Sequence, residues 1–143
     1  MPRKKNTLNS SRFQLPGALV VLVSLASACG GNQDVSGKLR GSDSLVINFY
    51  APGSETVTES MTTTEEAAIR RLTEFISAKE TEVFKCGYDG NLLFFEKGKP
   101  VSDVSFKFSD ESCRHFVMDI KGQLVATKMS NQAADFLADL KTR

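Results

Sequence analysis

Apolar and polar positions divide this chain into three stretches with different periodicities. Residues 15–26, LPGALVVLVSLA, form a nearly unbroken apolar run. Residues 30–43, GGNQDVSGKLRGSD, hold four glycines and almost no apolar side chain. From Ser44 onward the pattern alternates between the period of two expected of strands and the longer period of helices. In SLVINFYAPG, Leu45, Ile47 and Phe49 alternate with Val46, Asn48 and Tyr50, and Pro52-Gly53 closes that strand as a turn. A Thr-rich segment follows, and TTTEEAAIRRLTEFISAK then sets Ala68, Ile69, Leu72, Phe75 and Ile76 on one helical face. Thr62 with Glu65, or Thr63 with Glu66, has the spacing of a capping box.

The middle of the chain reads as hairpins. Asp89-Gly90, inside TEVFKCGYDGNLLFFEKG, is a strong two-residue turn signal. A turn there would pair Tyr88 with Asn91, Cys86 with Leu93 and Phe84 with Phe95. Lys97 to Pro100 is the next turn, and Val104, Phe106 and Phe108 alternate after it. Phe116, Met118 and Ile120 form a further strand, which Lys121-Gly122 connects to QLVATKM. The chain closes with a helix capped by Ser130, with Ala133, Phe136, Leu137 and Leu140 on one face. The expected fold is α+β, an antiparallel meander of five or six strands packed by two helices. A strand, a helix and then a meander resembles the element order of cystatins. The Gln-Val-Gly hairpin signature of that family is absent, so the resemblance concerns topology and implies no activity.

Charge changes the picture of the N-terminus. The chain has 18 basic and 17 acidic residues; Arg3, Lys4, Lys5 and Arg12 precede Cys29, and every acid follows it. The part after Cys29 therefore carries 14 positive against 17 negative residues, a net of −3. A weakly acidic domain without a basic stripe argues against nucleic acid as a partner. A basic segment, an apolar run too short to span a bilayer, which takes roughly 20 residues, and small residues before Cys29 have the layout of a secretory signal over residues 1–28. Leu25-Ala26-Ser27-Ala28-Cys29 resembles the lipobox of bacterial lipoproteins, although Ala26 stands where leucine is commonest. Ala26-Ser27-Ala28 equally satisfies the A-x-A rule of ordinary signal peptidase, and both readings cut the same bond. They differ in the fate of Cys29, which the lipoprotein resemblance assigns to acylation. That resemblance also implies a cell-envelope location, and Gly30, where an Asp would suggest inner-membrane retention, points to the outer membrane in an organism that has one. Residues 29–43 then read as a lipid-anchored flexible tether with a reach of about 20 Å, and residues 44–143 as a single domain.

Export leaves Cys86 and Cys113 as an even pair in an oxidising compartment, and a bridge closing the loop between them is worth about 3.6 kcal/mol. The alternative chemistry uses His115, the only histidine. Cys113-x-His115 puts two side chains on one strand face, and Cys86 could complete a Cys2His zinc site or a thiol-dependent centre. The spacing matches no known zinc pattern and offers no CxxC. The acidic pairs Glu65-Glu66 and Asp110-Glu111 fit a helix first turn and a hairpin turn. No phosphate loop, serine elbow or calcium loop is present, so nothing calls for a cofactor.

One strand is apolar on both faces. Leu92 and Phe94 alternate with Leu93 and Phe95, so Leu92 and Phe94 are either core beneath the C-terminal helix or a binding face for an envelope protein, peptide or lipid chain. Core has the stronger argument, since Phe136, Leu137 and Leu140 need something to cover. The sequence as a whole reads as a lipid-anchored, disulfide-stapled domain that binds rather than catalyses.

Overall fold

The computed structural model describes residues 31–142. Seven strands form one sheet: β1 (Ser44–Tyr50), β2 (Val57–Thr63), β3 (Glu80–Thr81), β4 (Gly90–Glu96), β5 (Lys99–Lys107), β6 (His115–Ile120) and β7 (Gln123–Lys128). Their order is β2-β1-β4-β5-β6-β7-β3, and every neighbouring pair is antiparallel. Three helices, α1 (Gly31–Leu39), α2 (Glu66–Ile76) and α3 (Asn131–Lys141), complete the described chain. The class is the expected α+β, with more strands and one more helix than the pattern announced.

The period-two pattern sorts the faces. Ile47, Leu92, Val104, Met118 and Val125 lie in register across five strands. With Leu45, Phe49, Phe94, Phe106 and Phe116 they form one cluster, which the helices cover using Val35 and Leu39, Ile69, Leu72 and Ile76, and Ala133, Ala134 and Leu137. Leu92 and Phe94 are fully buried in that cluster. They are core, so the binding-face reading of those two residues is withdrawn; the apolar side chains on the other face are the half-buried Leu93 and Phe95. Arg71 joins two helices, its guanidinium 5.5 Å from the ring centre of Phe75 and 4.8 Å from that of Phe136.

Two tight hairpins form where turns are expected, although the first is confined to Lys97-Gly98, with Lys99 and Pro100 already in β5, paired with Glu96 and Phe95. Lys97-Gly98 and Lys121-Gly122 both have positive φ, at 52° and 75° and at 55° and 82°, the backbone of two-residue type I′ turns. Asp89-Gly90, by contrast, is no turn. Gly90 opens β4 between β1 and β5, opposite Phe49 and Phe106, and residues 82–89 are a loop. The glycine serves close packing instead: a Cβ there would collide with the Asn48 carbonyl oxygen and the Phe106 ring. Gly90→Ala should cost about 2–4 kcal/mol, because backbone as well as side chain must move. A urea titration checks this, and a shift under about 0.5 kcal/mol would contradict the packing.

Two further expectations fail locally. Thr62 and Thr63 belong to β2, paired with Val46 and Leu45, so neither forms the capping box. Glu65 is the α2 N-cap and makes no side-chain cap; the Thr63 hydroxyl accepts from its backbone N–H at 3.1 Å. The Gly-rich segment read as a tether contains α1, whose Val35 and Leu39 are fully buried. Packing thus begins well before Ser44. The Ser130 cap of α3 is present, accepting from the Ala133 N–H at 3.1 Å.

Candidate functional site

Cys86 and Cys113 are joined by a disulfide, with 6.3 Å between their Cα atoms. The bridge fastens the 82–89 loop across the sheet face opposite the helices. Beneath it lies His115, fully buried. Its Nδ1 donates to the Cys113 carbonyl at 2.5 Å. Its ring meets Phe84 at 5.5 Å and Tyr88 at 6.1 Å between centres. Among the described residues, His115 Nε2 has no hydrogen-bond partner. The arrangement leaves no free thiol at either Cys86 or Cys113, and among the described residues no cluster of three His, Cys, Asp or Glu side chains could hold a metal ion. Structure therefore brings the three residues into one neighbourhood, but as a staple and its filling. Cys29 lies outside the described residues.

Asp89 anchors the same loop to the sheet. One carboxylate oxygen accepts from the Phe108 and Ser109 backbone N–H groups, each at 2.8 Å. The other takes Lys107 Nζ at 2.8 Å and the Ser109 hydroxyl at 3.0 Å. Burial pushes the Asp89 carboxyl up, but Lys107 and the three Phe108 and Ser109 donors outweigh it and hold the pKa below the ordinary value. The stability this contributes is complete above the unfolded carboxyl pKa of about 3.9 and disappears as pH falls through the lower folded value. Wild type should exceed Asp89→Asn in stability by about 2 kcal/mol at pH 7. That margin should shrink in urea titrations below about pH 4, whereas a margin independent of pH would show that the charge is not what matters.

On the open face a polar ladder crosses four strands. The Ser60 hydroxyl donates to Asn48 Oδ1 at 2.7 Å, Asn48 Nδ2 to Asn91 Oδ1 at 3.0 Å, and Asn91 Nδ2 to Asp103 Oδ1 at 2.9 Å. Each amide spends a donor and an acceptor on its neighbours, which fixes its orientation. The ladder aligns strands and presents no nucleophile beside a base. The acidic pairs also prove local. Glu66 pairs with Arg70 at 3.7 Å on the exposed first turn of α2, and Asp110 caps the Glu111–Cys113 3-10 turn through Ser112.

Among the described residues, a cleft of about 360 Å³ lies between the β2 side of the sheet and the two long helices. Ile47 and Met61 form its floor, Ala68 and Leu72 one wall, and Phe136 and Leu140 the other. Thr63, Glu65 and Arg71 supply polar groups. Apolar walls with a few polar groups, at the lower end of the usual ligand-pocket volume, suit an apolar group with a polar end. Sequence reasoning missed this cleft because it gave residues 57–61 no element and read Thr62 and Thr63 as the start of a helix rather than as the end of β2. The signal was available, since VTESMTT is rich in the β-branched residues that favour strands.

Fold and site together define a disulfide-stapled α+β domain with helices on one sheet face and an apolar cleft at its β2 margin. Compared with known protein families, characterised proteins and solved structures, the chain finds no match.

Proposed function

We propose that this protein is an exported lipoprotein, acylated on Cys29, whose domain acts in the cell envelope by binding rather than catalysis. The cleft bounded by Met61, Ala68 and Phe136 carries the binding part of this reading: it is lined for an apolar group with a polar end. The lipobox-like residues before Cys29 and the Cys86–Cys113 bridge support export, since disulfides persist in oxidising compartments. By the same resemblance the destination is the outer membrane where one exists. The ligand is a small amphiphile or an apolar side chain of an envelope protein or peptide.

A soluble form made by Cys29→Ser tests the cleft with Nile red, a neutral apolar dye. Saturable fluorescence enhancement at one site should be lost in Ala68→Trp, which fills the cavity, while circular dichroism stays unchanged. Enhancement that survives Ala68→Trp would place apolar binding elsewhere and remove the cleft from the account.

A further inference from the structure

We infer that α1 moors the domain flush against the bilayer, so that the surface around the start of this helix is a membrane-contact surface rather than the far end of a flexible tether. The inference rests on acylation of Cys29. Its basis is how little chain separates that residue from packed structure. Gly31 is the first residue of α1, and Val35 and Leu39 within the helix are fully buried. Two residue steps from Cys29 to Gly31 span at most about 7 Å. If all of residues 30–43 were free, the root-mean-square reach would be about 20 Å. The difference is set by whether α1 is docked.

The sequence of α1 shows that docking, not intrinsic preference, makes it a helix. GNQDVSGKL has two glycines and no run of strong helix formers, and nine residues are too few for a stable isolated helix. Tertiary contacts supply what propensity lacks. Val35 and Leu39, four residues apart, share one face and join the core cluster. Lys38 Nζ donates to the Asp119 carbonyl oxygen at 2.6 Å, tying α1 to the end of β6 beside the Lys121-Gly122 turn. Thus the segment whose glycines suggest freedom is held at three successive points by the domain.

The functional consequence is a short reach. About 112 residues pack with a radius of gyration of about 13 Å, so a domain seated on the headgroups extends roughly 35 Å from them. Anything it binds must diffuse to the membrane surface or be anchored there too.

The test uses native lipidated protein, purified without reductant and tethered in a supported bilayer, with the protein–membrane gap measured by neutron reflectometry. Flush mooring gives a water layer under about 10 Å. A layer of about 20 Å or more, with the protein still attached through its lipid, would overturn the mooring and leave the anchor intact. Protein that does not attach at all would overturn the anchor and the mooring together. Val35→Ser with Leu39→Ser should release α1 and widen the gap about twofold, provided the Cys86–Cys113 bridge and strand signal persist. An unchanged gap in such a folded variant also overturns the proposal. If that variant does not fold, the wild-type gap decides alone.

Discussion

Phe94→Ser is expected to abolish stable folding of the domain, whereas Phe95→Ser one position along costs less than about 1.5 kcal/mol. The two rings occupy opposite sides of β4. Phe94 is fully buried, in register with Leu45 on β1 and Ser102 on β5, and belongs to the helix-covered cluster. Removing such a ring leaves a cavity worth about 3–5 kcal/mol, and the new hydroxyl adds about 1–3 kcal/mol if it finds no partner. A domain of this size has about 5–15 kcal/mol in total. Phe95 faces the open side and is half-buried, so its loss is mainly a transfer effect. Urea titrations of both variants, followed by far-ultraviolet circular dichroism, make the comparison. A folded, near-native Phe94→Ser beside a collapsed Phe95→Ser would reverse the face assignment.

Replacing both bridged cysteines, Cys86→Ser with Cys113→Ser, should lower stability by about 3–4 kcal/mol on the chain-entropy estimate for the loop they close. For a domain this small that corresponds to a fall in Tm of roughly 12–25 °C. The loss should also have a local signature. The bridge holds the 82–89 loop, with Phe84 and Tyr88, over His115. As His115 is the only histidine, modification by diethylpyrocarbonate reads one site. The oxidised protein should resist, and the double variant should react at temperatures where its sheet is still formed. Rapid modification of the oxidised protein would show that the loop does not cover the ring. A Tm within about 3 °C of wild type would show that the bridge adds little to a loop already fixed by Asp89.

Strongly periodic segments were legible from sequence. β1, β4 through β7, α2 and α3 follow apolar spacing, because each buries one face against a common core. Cys86–Cys113 pairing followed from cysteine number and presumed export. What escaped depended on tertiary surroundings. β2 is an edge strand whose only apolar residues are Val57 and Met61, so its burial pattern barely registers. The Asp89-Gly90 dipeptide carries a genuine turn signal, yet Gly90 is needed where β1 and β5 crowd its Cα, and Asp89 is needed to bind the Phe108–Ser109 backbone. α1 forms because two aliphatic residues in a polar, Gly-containing segment find a place in the core. The cleft has residues from β1, β2, α2 and α3, and no local pattern announces four elements meeting.

The most direct test of a lipid-anchored, disulfide-stapled binding domain is intact mass and peptide mapping of native protein extracted from membranes without reductant. The account predicts an N-terminal peptide beginning at an acylated Cys29 and a Cys86 peptide linked to the Cys113 peptide. An unmodified Cys29, or free thiols at Cys86 and Cys113, would contradict it.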